Sequence, residues 1–154
     1  SQMTGCYIPH HRCIDNCIHS YAGMQLRYAC YQIMEKQEKQ EATGKAKITK
    51  AYNLPSRYIL HTVGPIIYST VTKKDEELLA SCYRSCLELA DAYHLESIAF
   101  CCISTGEFHF PKELATKIAI KTVKEYLKNE TSIKKVIFNV FKDEDRDIYE
   151  RYLR

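Results

Sequence analysis

Apolar residues recur at helical spacing along much of the chain. From Ile14, the residues Ile14, Cys17, Ile18 and Tyr21 fall on one helical stripe that runs to Gly23. Asp15 and Asn16 lie in its first turn, where negative charge meets the positive end of the helix dipole. Leu26, Ala29, Cys30, Ile33 and Met34 keep the i, i+3, i+4 rhythm in a second helix, which gives way to the polar run EKQEKQEATG. The pattern then switches period. AKITKAYN alternates between faces, and RYILHTVGP is a β-branched and aromatic run closed by Gly64 and Pro65, so the two read as paired strands around an LPS turn.

A long amphipathic helix is predicted from Asp75 to Tyr93, with Leu78, Leu79, Cys82, Tyr83, Cys86, Leu87 and Ala90 on its buried stripe. SIAFCCI is a continuous apolar run of the kind found in a strand covered on both faces, and it stops at STGEFHFP. Pro111 suits the first turn of the next helix, whose stripe runs from Leu114 to Leu127. KKVIFNVF predicts a last buried strand, and Asp143 is placed to cap a terminal helix. Helices alternating with buried strands imply a layered α/β fold, with ligands in loops beyond strand C-terminal ends. No internal repeat, low-complexity tract or linker interrupts residues 1–154, which read as a single domain.

Composition narrows the class. With 45% apolar residues and no run near the roughly 18 needed to span a bilayer, the reading is a soluble, cytosolic chain with no membrane partner. A net charge of +3 with scattered basic residues gives nucleic acid binding little support, while a small anionic ligand fits. Eight cysteines would suit a disulfide framework, but Cys17, Cys30, Cys82 and Cys86 sit on helical apolar faces, so reduced thiols are expected.

Three segments carry candidate chemistry. In GCYIPHHRC, Cys6, His11 and Cys13 stand at C-x4-H-x-C spacing around Pro9. Two thiolates and an imidazole suit Zn²⁺, and three protein ligands leave a fourth tetrahedral position for water or substrate. His10 is the rival ligand, and the spacing alone leaves open a plain alternative of buried thiols and surface histidines. Asp15, two residues past Cys13, is a candidate general base or orienting group; the alternative is an ordinary first-turn acid. STGEFHFP offers backbone amides, a glycine and a following helix N-terminus for phosphates, although such residues are also common in turns. His61, at a strand position, reads as a satisfied core histidine.

Taken in order, GCYIPHHRCIDNCIHSYAGMQLRYAC, ATGKAKITKAYNLPSRYILHTVGP, CCISTGEFHFP and KKVIFNVF resemble macrodomains over nearly the whole chain. The cysteine, histidine and cysteine before IDN look like the zinc-containing macrodomains, ADP-ribosylhydrolases associated with sirtuin-type ADP-ribosyltransferases. The resemblance implies a three-layer α/β/α sandwich with a mixed sheet. It also implies Zn²⁺ held by Cys6, His11 and Cys13, with Asp15 as the catalytic carboxylate and Asn16 as a substrate-binding residue. Ser104, Thr105, Gly106, Glu107 and Phe108 match the loop that wraps a diphosphate, and Phe110 the aromatic beside it. Asn139 and Phe141 are candidates for the adenine side, and His109 stands where macrodomains usually have glycine.

The family's first strands and VNAAN motif, which precede this segment, do not occur here, so a separate or removed N-terminal segment is an expected partner. The implied reaction is zinc-dependent removal of mono-ADP-ribose from acidic side chains of modified proteins, a lipoyl-carrier protein being one candidate substrate. Two alternatives are a non-catalytic ADP-ribose-binding module with structural zinc and an O-acetyl-ADP-ribose deacetylase.

Overall fold

Residues 13–154 are described by a computed structural model of the chain. Two strand pairs form its centre. Strand β1 (Ala46–Lys50) pairs antiparallel with β2 (Tyr58–Thr62), and β3 (Ser97–Phe100) pairs in parallel with β4 (Lys135–Phe138). Antiparallel and parallel ladders thus occur together, as expected of a mixed architecture. Among the described residues the two pairs are separate two-stranded sheets rather than one.

Helices join and cover them. Helices α1 (Ile14–Ala22) and α2 (Met24–Gln37) precede β1, α3 (Lys73–Ala92) connects β2 to β3, α4 (Lys112–Tyr126) makes the crossover from β3 to β4, and α5 (Asp143–Leu153) closes the chain. The α1–α2 corner turns at Gly23, whose φ of 92° suits glycine; an added Cβ would stand 2.8 Å from Asn53 Nδ2. Helix α3 begins two residues earlier than its apolar stripe indicates. Thr72 and Asp75 form a reciprocal capping box, the Thr72 side chain accepting from Asp75 N and the Asp75 carboxylate accepting from Thr72 N at 2.8 Å.

One core cluster packs Leu79, Tyr83, Leu87, Phe100 and Phe110 with the inner faces of α3 and α4; a smaller one packs Ala22, Leu26 and Cys30 under β2 residue Ile59. Burying an aliphatic or aromatic side chain of this kind is worth about 1.5–3 kcal/mol. Asp91 fastens the end of α3 to the approach of β4. Its carboxylate accepts from Tyr126 Oη at 2.6 Å, Thr131 Oγ1 at 2.7 Å, Ser132 N at 2.8 Å and Ser132 Oγ at 2.7 Å. No helix among the described residues is long and apolar enough to cross a membrane.

Four expectations are corrected. Helix α1 turns Asn16, His19 and Ala22 inward, while Ile14 is 50% and Tyr21 75% exposed, so its apolar stripe is not the buried one. Strand β3 buries Ile98 and Phe100 but exposes Ser97 and Ala99, and in β4 Ile137 is exposed, because each strand is covered on one face only. Asp143 is the first residue of α5, not its cap; Lys142 holds the cap position and the Asp143 carboxylate accepts from Arg146 at 2.9 Å. Pro111 occupies the N-cap of α4, one position before the first turn.

Candidate functional site

Cys13 caps helix α1. Its extended backbone (φ −73°, ψ 155°) breaks the helix, and its Sγ accepts from Asn16 N at 3.4 Å. The sulfur therefore sits at the positive end of the helix dipole, a position that favours an anionic ligand atom. Asp15, with 18% of its side chain exposed, follows in the first turn, and its Oδ1 lies 3.7 Å from His19 Nε2 one turn on. Asn16 is buried, and its Oδ1 accepts from Arg27 Nη2 at 3.2 Å. Cys6 and His11, the other two proposed ligands, lie outside the described residues.

The loop after β3 is built from its own backbone. Thr105 Oγ1 donates to Cys102 O at 3.1 Å, His109 N to Gly106 O at 3.0 Å and Phe110 N to Ser104 O at 2.9 Å, folding Ser104–Phe110 into a tight turn. Ile67 N donates to Phe108 O at 2.8 Å and ties that turn to the segment following β2. Ser104 and His109 take left-handed backbone angles, φ 64° and 57°. His109 thus occupies the kind of position glycine fills without strain. Around Gly106 an added Cβ would meet nothing within 4 Å, so the chain itself does not require glycine at this point. Ser104 Oγ is buried without a hydrogen-bond partner.

The sequence-predicted residues divide. Asn139 N donates to Phe100 O at 2.7 Å, so the ends of β3 and β4 lie side by side. The Ser104–Phe108 loop and the Asn139–Phe141 segment therefore leave the same C-terminal edge of a parallel pair, where ligands collect in open α/β sheets. Glu107 and Phe141 are exposed there, Phe141 at 97%, and Thr105 and Phe108 are half-buried. Phe110 is 1% exposed, and its ring packs in the core cluster beneath the loop.

Sequence reasoning missed the polar cluster behind α1. His19, Cys30 on α2 and His61 on β2 converge, with the two imidazole centroids 6.2 Å apart. Burial drives the His61 imidazole down to about 4, with His19 adding to the effect, and pushes the Cys30 thiol up to about 11. His19 is lowered by burial, against the pull of Asp15. The Asp15–His19 spacing of four residues was the one signal available for it.

The macro domain family profile matches residues 4–119. A protein-ADP-ribose hydrolase of Treponema medium is 52% identical over 153 residues, covering 99% of this chain and 59% of that protein. A protein-ADP-ribose hydrolase of Staphylococcus aureus strain MSSA476 is 53% identical over 150 residues, covering 97% and 56% respectively. The chain thus spans a little over half the length of these curated relatives. A mutant of the Oceanobacillus iheyensis macrodomain, solved with ADPR, superposes with a TM-score of 0.88 at 37% identity, over 99% of this chain and 79% of that one. Sequence and fold agree: the chain belongs to the macro domain family.

Proposed function

We propose that this chain forms the diphosphate-binding and proton-handling part of a zinc-dependent hydrolase that removes mono-ADP-ribose from acidic side chains. The observation that carries the reading is the Ser104–Phe108 loop: a strained, internally bonded turn with a buried unpartnered hydroxyl at the C-terminal edge of the β3–β4 pair. Its amides and the open space at Gly106 suit a diphosphate, and the start of α4 just beyond adds a favourable dipole. The relatives' printed names, and ADPR in the solved O. iheyensis macrodomain, support the same ligand.

The donor chemistry fits a metal at the N-terminal motif. Cys13 presents a sulfur at a helix N-terminus, and Cys6 and His11 would complete a two-sulfur, one-nitrogen set. Zinc bound there supplies Lewis-acid polarisation of a ribose hydroxyl or of water. Asp15, held near His19 and only partly exposed, would take a proton from the attacking water, whose oxygen bonds to the anomeric carbon of the ribose as the bond to the acyl oxygen breaks and the carboxylate leaves. The loop fixes the diphosphate, so that the distal ribose is presented to that carboxylate. Cytosolic location and a sirtuin-type ADP-ribosyltransferase as functional partner belong to the same proposal.

The test compares Asp15→Ala with Cys13→Ala in the complete protein, using a mono-ADP-ribosylated acidic substrate. Asp15→Ala is expected to keep zinc and ADP-ribose affinity while losing about 10²–10⁴-fold in turnover; Cys13→Ala is expected to lose zinc. Tight ADP-ribose binding with no turnover in the unmutated complete protein, on this substrate or on O-acetyl-ADP-ribose, would reassign the chain as a binding module.

A further inference from the structure

In the function proposed above the cluster between α1, α2 and β2 enters only through His19, the neighbour of Asp15; Cys30 and His61 take no part. His19, Cys30 and His61 each bring one ligand atom, and all three atoms lie within 4.8 Å of one another. His19 is 2% and Cys30 1% exposed, and His61 is half-buried. Both ring nitrogens of His19 are buried without a hydrogen-bond partner. Asp15 Oδ1, at 3.7 Å from Nε2, stands beyond hydrogen-bonding range of that ring. Leaving a buried polar group unpaired costs about 1–3 kcal/mol, and this imidazole leaves two. By contrast, His61 Nε2 meets Thr49 Oγ1 at 2.9 Å, a contact that sets its ring plane. Thr49 lies two positions along β1 from Lys47, the cross-strand partner of His61, so the strand register builds this contact.

We propose that His19, Cys30 and His61 form a second metal site, which takes zinc or a similar borderline-soft divalent ion through two imidazole nitrogens and one thiolate. Zinc binds such donors at about 2.0–2.3 Å in tetrahedral geometry, so the three atoms need close by only about an ångström. The ion replaces the missing partner of His19. Binding breaks the Cys30 S–H bond, forms a sulfur–metal bond and releases one proton to solvent, so uptake strengthens as pH rises. Thr49 acts as the outer hydrogen bond that orients a ligating imidazole, and the Asp15 carboxylate places a negative charge beside His19.

The ligands come from three elements. A metal here clips α1 and α2 to the β1–β2 pair and steadies the helix that carries Cys13 and Asp15. It is independent of the N-terminal cysteine motif, since the two sites use different sulfurs.

That independence makes the test separable. The chain is prepared as Cys6→Ser/Cys13→Ser, stripped with chelator and titrated with Co²⁺, then with Zn²⁺. The expected result is about one bound equivalent, a thiolate-to-cobalt charge-transfer band, and a rise in melting temperature on zinc addition. Adding Cys30→Ser should abolish the band. His61→Gln, which preserves much of the ring's shape and serves if Cys30→Ser fails to fold, should weaken cobalt affinity by at least about 100-fold. Absence of metal uptake in the Cys6→Ser/Cys13→Ser chain overturns the second site and leaves the N-terminal one standing. A cobalt–thiolate band that survives Cys30→Ser, or a cobalt affinity unchanged by His61→Gln, also overturns it.

Discussion

Gly64 lies just past β2, far from the Ser104–Phe108 loop in sequence but against it in space. A Cβ added there would stand 2.0 Å from Ser104 Oγ, 2.9 Å from Ile103 Cγ2 and 3.3 Å from Ser104 Cβ, where ordinary contact begins near 3.4 Å. Gly64→Ala therefore requires the Ser104 hydroxyl to retreat by about 1.4 Å. That hydroxyl is already buried, on a residue at φ 64° whose loop is pinned by the Phe110 N to Ser104 O bond, so the strain spreads into the backbone. Overpacking of this kind costs about 1–3 kcal/mol.

Ser104→Ala isolates the cause. It removes the atom at 2.0 Å together with a hydroxyl that has no partner, so alone it should change stability by less than about 0.5 kcal/mol or improve it. The double variant still meets the Ile103 methyl at 2.9 Å and the Cβ of residue 104 at 3.3 Å but is rid of the 2.0 Å contact, so Ser104→Ala should recover at least about 1 kcal/mol of the Gly64→Ala loss. Urea unfolding of the four proteins measures the cycle without any ligand. Losses that add within about 0.5 kcal/mol, or a Gly64→Ala variant as stable as its parent, would refute the claimed contact between the β2 exit and the loop.

Gly106→Val should leave urea stability nearly unchanged, since a Cβ there meets nothing, yet reduce ADP-ribose affinity at least about 10-fold by calorimetry if the loop holds a diphosphate. His109→Gly should raise stability by about 1 kcal/mol in the same urea assay, by relieving a positive φ. Asp91→Ala leaves the Tyr126, Thr131 and Ser132 donors without their acceptor and should cost about 2 kcal/mol at pH 7. These hydrogen bonds outweigh burial and hold the Asp91 carboxyl down at about 2, against 3.8 unfolded. Its ionised contribution is therefore full above about pH 4 and is lost as pH falls from 3.8 through about 2. After allowance for solvent screening that is about 1 kcal/mol, read as a narrowing gap between wild type and Asp91→Ala in acid unfolding curves.

What the sequence made legible was set by the range of the interaction concerned. Helices α2, α3 and α4 and the β1–β2 hairpin follow from periodicity because each buries one continuous face, and a period is a local property. Helix α1 defeated the same reasoning, since its inward face is led by His19 and Asn16 rather than by Ile14 and Tyr21. A stripe counts apolar residues, whereas burial of His19 is decided by Cys30 and His61, which arrive from other elements. In β3 and β4 an unbroken apolar run predicts two covered faces, but only the packing of α3 and α4 determines that Ala99 and Ile137 stay open.

The candidate site divides along the same line. STGEF reads as a candidate phosphate loop from its residue types, and Cys13 and Asp15 as candidates from their spacing. The left-handed angles at Ser104 and His109 were not legible, because neither residue advertises them as glycine would. Gly64 illustrates the limit most clearly. Its backbone makes no conformational demand for glycine, and only the Ser104 side chain across the gap does. A glycine demanded by a distant contact looks in sequence like any strand-ending turn. The loop after β3 therefore depends on a residue that its own motif does not contain.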